Sequence, residues 1–252
     1  MKLFKYENLL IVLLLMFVTS LSYAATCGIP RHNNVSLGDT VYSPKVCSQT
    51  VINKFWTDFN FDKSDWDDGF GYFNVCNINV PLNKTFSALW LLQNSTTNPA
   101  SSISDFSGDF LRWAYNYSAR AIEELDGRCG NGSTSGVVAT THRGALVNDR
   151  TELKFPFFYG QGMPERAGTI VHEARHADGI SHDSCNCPRG GSCDQRWGDR
   201  KANDYGILYM WWFVDSGVNT TTAMKRRAQN RVNNVLAGGF CESTTFRINY
   251  GL

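Results

Sequence analysis

Four stretches of the chain repeat apolar residues every three or four positions, the spacing of one face of an α-helix. In the second stretch, Pro164 stands near the beginning and Gly179 just beyond the end. Proline and glycine favour these two positions at helix boundaries. The pattern therefore predicts helices within residues 104–130, 162–179, 200–217 and 219–239.

Shorter apolar stretches between turn-forming residues have the pattern of β-strands. We predict strands within residues 70–80, 135–147 and 244–252. Residues 151–160 are predicted to be extended, and Pro156 places them at a sheet edge or in a loop because proline lacks an N–H for a central ladder. The chain is therefore predicted to be α+β, with a small mixed sheet.

The first 24 residues have the layout of an export signal. Lys2 and Lys5 precede an apolar stretch, and Ser22 and Ala24 supply the small residues of a cleavage site. This apolar stretch is shorter than the roughly 20 residues that span a bilayer. We predict a signal peptide at residues 1–24 and one domain at residues 25–252, secreted or periplasmic, with no stable membrane association after cleavage.

Charge and cysteine content narrow the class of protein. Without the signal, which holds Lys2, Lys5 and Glu7, the chain has 22 basic and 22 acidic residues, so nothing favours nucleic acid as a partner. An even number of cysteines behind an export signal predicts up to four disulfides, whose pairing the sequence does not define. The eight cysteines are Cys27, Cys47, Cys76, Cys129, Cys185, Cys187, Cys193 and Cys241.

Three of the five histidines lie in the eleven residues HEARHADGISH, 172–182. Residues four apart share a helix face, so His172 and His176 present two imidazoles to one metal ion. Glu173 is turned by about 100° around the helix axis from His172, so it would lie beside the metal and take a proton from metal-bound water. Gly179 allows a sharp turn after the helix, which would return His182 as a third ligand. Three nitrogen ligands and an open position are typical of catalytic zinc.

The pattern HExxHxxGxxH resembles the zinc signature of metzincin endopeptidases. The resemblance implies a zincin-like fold, in which the helix carries the zinc ligands His172, His176 and His182 and the general base and proton shuttle Glu173. It also implies that a substrate backbone pairs with the extended residues before this helix, around KFPFFYG. A methionine turn beneath the metal would involve Met210 or Met224, although both also suit core packing.

A second resemblance leaves the third ligand open. Residues 198–206 loosely resemble the aspartate-containing segment of aspzincin endopeptidases, which would make Asp199 or Asp204 the third ligand or a partner of a ligating histidine. Tyr205 would then suit an oxyanion donor. The cysteines at 185, 187 and 193 suit disulfides better than a zinc knuckle behind an export signal.

These observations predict a secreted zinc-dependent hydrolase, with an endopeptidase acting on peptide or protein substrates as the leading hypothesis. Water activation by zinc serves other bonds too, so a zinc amidase or another hydrolase is an alternative. A disulfide-rich binding protein with a non-catalytic metal site is a further alternative. The presence of Glu173 beside the histidines favours the enzymes.

Overall fold

The structure is a computed structural model that describes residues 38–67, 69–99, 109–127, 136–144, 147–188 and 192–252. The predicted signal peptide, His32, Cys27 and Cys129 lie outside the described residues. The helices are α1 (Asp39–Tyr42), α2 (Gln49–Asp58), α3 (Lys63–Trp66), α4 (Pro81–Asn94), α5 (Ala114–Ala121), α6 (Met163–Ala177), α7 (Ala202–Ser216) and α8 (Thr222–Gly238), and the strands are β1 (Leu125–Gly127), β2 (Ala139–Gly144) and β3 (Val147–Leu153).

The three strands form one small mixed sheet, which confirms the α+β prediction. Strand β3 is central, parallel to β1 and antiparallel to β2, with Thr141 opposite Thr151. Strand β2 is therefore an edge of this sheet. It also contacts α6, because the Thr141 hydroxyl donates a hydrogen bond to the Glu173 carboxylate.

The predictions for α6, α7 and α8 are confirmed, including Gly179 beyond the end of α6. The prediction for residues 104–130 is correct only in part. Helix α5 ends at Ala121, and Leu125–Gly127 form β1 instead. Leu125 matches the helical spacing of apolar residues only because its side chain is buried, and here it is buried as part of a strand. A strand of three residues is too short to show the alternation that distinguishes strands from helices.

Two strand predictions are wrong, and the 151–160 prediction is wrong in its second half. Residues 72–74 form a 3-10 turn, and β3 ends at Leu153 before a π-helical turn at Pro156–Gly160. The segment 244–252 pairs with a helix: Asn233 on α8 exchanges hydrogen bonds with the backbone of Ile248. Apolar alternation reports which side chains are buried, and it does not require a neighbouring strand.

Helix α6 lies at the centre of the packing and crosses α7 at two glycines. A Cβ atom on Gly206 would lie 3.2 Å from the backbone oxygen of Gly168 and 3.4 Å from the Cβ atom of His172. A side chain at Gly206 would therefore require its neighbours on α6 to move by a few tenths of an ångström, and glycine avoids that shift. The crossing therefore places the beginning of α7 beside the histidines of α6.

A buried ion cluster holds α1 against the same helix. The Asp39 carboxylate lies 2.7 Å from the Arg166 guanidinium on α6 and 2.9 Å from the Lys84 ammonium on α4, and all three side chains are buried. Arg166 also donates to the carbonyl oxygens of Phe157 and Phe158. The cluster thus joins α1, α4, α6 and the π-helical turn.

Three disulfides occur among the described residues: Cys47–Cys76, Cys185–Cys241 and Cys187–Cys193. They confirm the disulfide prediction for those six cysteines and are consistent with an oxidising compartment. Cys185–Cys241 joins the segment that follows His182 to the chain after α8, and Cys187–Cys193 closes a short loop within that segment. Within the described ranges, no helix is both long and apolar enough to cross a bilayer.

Candidate metal centre

Three histidine side chains meet at the end of α6. The Nε2 atom of His176 lies 3.2 Å from that of His172 and 3.1 Å from that of His182. His172 and His176 share one face of the helix, and Gly179 then adopts a left-handed conformation with φ of +91°. This turn reverses the chain so that His182 returns to the face that carries the other two.

The spacing of the three nitrogens suits zinc. Zinc–nitrogen bonds of about 2.0–2.1 Å in a tetrahedron place ligand nitrogens about 3.3 Å apart. The 3.1 and 3.2 Å separations are close to this value. The donor set and its geometry are therefore compatible with a zinc site.

Hydrogen bonds behind the rings orient them toward one point. His176 Nδ1 lies 2.6 Å from the carbonyl oxygen of Ile180, His182 Nδ1 lies 2.7 Å from Asp194 Oδ1, and His172 bonds to the backbone of Ala202. With the Nδ1 protons of His176 and His182 held outward, the Nε2 lone pairs converge. A metal ion bound between these nitrogens would offset the repulsion between their lone pairs. Hydrogen bonds from the other ring nitrogen to protein acceptors are typical of metal-ligating histidines.

Burial favours the neutral form of His172 and His176. It lowers the pKa of His172 well below the usual value, and the neighbouring rings of His176 and His182 lower that pKa further. Burial also lowers the pKa of His176, although its hydrogen bond to Ile180 opposes the shift. Neutral imidazole is the form that ligates a metal ion.

Asp194, which the sequence analysis did not identify, connects the cluster to the rest of the fold. Its carboxylate is fully buried and binds His182 through Oδ1, while Oδ2 accepts the backbone N–H of Asn203 at 2.8 Å. The residue follows Cys193 directly and obeys no spacing rule relative to the histidines. Only the folded loop brings it to His182.

Replacing Asp194 by alanine is expected to lower zinc affinity by about 10- to 100-fold, because His182 loses the partner that orients it. Asp194→Asn keeps an oxygen acceptor and should lose less. The affinity is measured by competition with a chromogenic chelator. Asp199→Ala is the matched control, since Asp199 pairs with the exposed Arg196; an equal loss in both variants would contradict the role given to Asp194.

Glu173 lies on α6 beside the histidines and lines the same cavity. It is 5 % exposed, and its Oε2 atom accepts a hydrogen bond from the Thr141 hydroxyl at 2.9 Å. Burial raises the pKa of this carboxyl group to about 7, and the Thr141 hydrogen bond opposes that shift. A carboxylate with this pKa exchanges protons readily near neutral pH.

The cavity has a volume of about 660 Å³ and is open to solvent between β2, α6, α7 and α8. Residues 138–141 and Arg143 form one wall, so the edge strand at the site is β2. The expectation that the segment around KFPFFYG is extended and pairs with a substrate is wrong. Pro156–Gly160 form a π-helical turn, with Phe157 and Phe158 buried. A buried turn has no free ladder edge to offer a peptide.

The candidates for an aspartate ligand are engaged elsewhere. Asp204 accepts backbone N–H groups of Gly198 and Arg200 at the start of α7, and Asp199 pairs with Arg196. Tyr205, expected as an oxyanion donor, is buried beneath the Arg175 guanidinium and does not line the cavity. The structure thus groups His182, and neither aspartate, with the two histidines of α6.

The methionine turn has no counterpart in the described ranges. Met210 and Met224 lie in α7 and α8, and Met163 lies in α6, all within regular helices. Met210 lines the cavity and packs against Gly168 at the helix crossing. A methionine therefore lies near the cluster from a helix instead of a turn.

Comparison with protein-family models, with curated proteins and with solved structures finds no match to this chain. The site is therefore interpreted from its own residues.

Proposed function

We propose that this protein is a zinc-dependent hydrolase, and specifically an endopeptidase. The observation that supports it is the convergence of the His172, His176 and His182 nitrogens in one open cavity with Glu173 beside them. Three nitrogen ligands leave one position free for water or substrate, whereas structural zinc sites fill all four.

Bound zinc would supply a Lewis acid for the scissile carbonyl and would lower the pKa of its water to about 7. Glu173 would accept the proton of the attacking water and pass it to the leaving amine. Thr141 holds the carboxylate of Glu173 in place. Asp194 holds His182, which keeps the third nitrogen directed at the metal.

The edge strand favours a peptide as substrate. Within the described residues, strand β2 pairs with β3 alone, and its residues 139–141 line the cavity. An extended peptide can add to such an edge through backbone hydrogen bonds. This arrangement would hold a scissile bond next to the histidines, since Thr141 on the strand already contacts Glu173.

The test is cleavage of a mixed peptide library by zinc-loaded protein, followed by mass spectrometry. We expect internal peptide bonds to be cut, the activity to disappear with a chelator, and zinc to restore it. An acylated amino-acid amide is assayed in parallel. Hydrolysis of that amide alone would replace the endopeptidase with an amidase, and stoichiometric zinc without any hydrolysis would favour a binding protein.

A further inference from the structure

Helix α8 contributes a stripe of residues to the wall of the metal cavity. Arg227, Arg231 and Val235 follow one another at intervals of four, so they share one helix face. Arg231 and Val235 line the cavity, and Arg227 binds Glu165 on α6 at 2.7 Å. Two arginines of this helix therefore face the wall of the cavity or its neighbour Glu165, and neither belongs to a purely solvated face.

Arg231 differs from the other arginines near the cavity. Arg227 pairs with Glu165, and Arg143 on the opposite wall lies 3.4 Å from Asp149. For Arg231, which is half-buried, the described part of the chain supplies neither a carboxylate within 4.0 Å nor a hydrogen-bond acceptor. Removing a charge from water without a partner costs free energy, so such a position is suited to an anion that arrives from outside.

The guanidinium of Arg231 also lies near the histidine cluster. Arg231 lines the cavity from α8, and His172 lines the same cavity from α6. The two carboxylates of the cavity lining have other roles, since Glu165 is paired with Arg227 and Glu173 lies beside the histidines. Among the described residues that line the cavity, Arg231 is thus the cation without a protein partner, and it lies in the region a substrate would occupy.

We propose that Arg231 is a specificity-determining residue that binds a carboxylate group of the substrate next to the reacting bond. A guanidinium presents paired N–H donors that match the two oxygens of a carboxylate. The carboxylate would belong to an acidic side chain or to a peptide C-terminus. This inference rests on the proposed hydrolase function, because it assigns the substrate class of the same site.

The test measures binding of two small ligands to zinc-loaded protein by titration calorimetry. Succinic monohydroxamate carries a metal-binding group and a free carboxylate, and its amide replaces only the carboxylate. We expect the native protein to prefer the acid by at least about tenfold, the scale of a charge-assisted hydrogen bond. Arg231→Gln should abolish the preference, and Arg231→Lys should retain part of it.

Arg226→Gln is the matched control, because Arg226 is exposed on the same helix and does not line the cavity. It should keep the full preference for the acid. Equal affinities for acid and amide in the native protein, or an unchanged preference in Arg231→Gln, would overturn the role given to Arg231. Neither result would contradict the proposed hydrolase function. If neither hydroxamate binds to zinc-loaded protein, the metal centre and the proposed function fail together with it.

Peptide substrates then distinguish the two sources of the carboxylate. One pair of peptides differs by glutamate against glutamine beside the cleaved bond, and the other by a free against an amidated C-terminus. For each pair, the ratio of kcat/KM for the acid to kcat/KM for the amide is measured in the native protein and in Arg231→Gln. The pair whose ratio falls about tenfold or more in Arg231→Gln identifies the carboxylate that Arg231 recognises. A ratio that is unchanged in both pairs would contradict the inference.

Discussion

Glu173→Gln is expected to bind zinc as tightly as the native protein and to lose at least about 100-fold in peptide cleavage, the scale for removing a general base. Glutamine keeps the shape of the side chain and can still accept the hydrogen bond from Thr141. Glutamine cannot take a proton from water, so the rate of the chemical step falls while zinc binding is unchanged. The measurements are zinc content by mass spectrometry and kcat/KM on one cleaved peptide.

Glu123→Gln provides the control for loss of a negative charge, because Glu123 is exposed between α5 and β1. Its rate should equal that of the native protein. Full activity in Glu173→Gln would refute the mechanism, even if zinc remained necessary. Loss of zinc in that variant would instead indicate that Glu173 binds the metal.

Asp39→Asn is expected to lower the free energy of unfolding by about 3–5 kcal/mol, because it removes the negative charge that lies between the two buried cations Arg166 and Lys84. Burial alone would raise the pKa of Asp39, but Arg166 and Lys84 lower it below the usual 3.8. The carboxylate therefore stabilises the fold at neutral pH, and this contribution is lost only as the pH falls through the lowered pKa. Urea unfolding monitored by tryptophan fluorescence measures the change.

Lys84→Met separates the loss of a counter-ion from a general sensitivity of this buried region. Among the described residues, the cluster has two cations for one carboxylate, so removal of Lys84 leaves the pair of Arg166 and Asp39. Methionine also fills much of the space of the lysine stem. A loss below about 1.5 kcal/mol is expected, in the range of volume-conserving core changes. Equal losses in the two variants would show that charge balance is not the cause.

The parts of the site that lie on one helix follow directly from the sequence. His172, Glu173 and His176 depend only on helical spacing, and Gly179 signals the turn that returns His182. The helix boundaries of α6, α7 and α8 are equally local, since proline, glycine and apolar periodicity determine them. These features were predicted because each depends on residues close together in the chain.

The parts that were missed depend on packing between distant segments. Asp194 reaches His182 across a disulfide-bonded loop, and Arg231 reaches the cavity because α8 lies against α6 and α7. Residues 151–160 were predicted to form an edge strand or a loop, yet the strand that lines the cavity is β2, through Ala139, Thr140, Thr141 and Arg143. Apolar patterning indicates that a segment is buried on one side, and it does not indicate which edge faces a site.

The disulfides around His182 have a consequence for the order in which the protein matures. Cys185–Cys241 and Cys187–Cys193 hold the loop that carries His182 and Asp194. While these thiols are reduced, the loop lacks its covalent links, and only His172 and His176 have positions fixed by α6. Formation of the disulfides restricts the conformations of the loop, so the conformational entropy cost of positioning His182 is met before a metal ion binds. Tight metal capture would therefore be a late step, completed where the cysteines are oxidised.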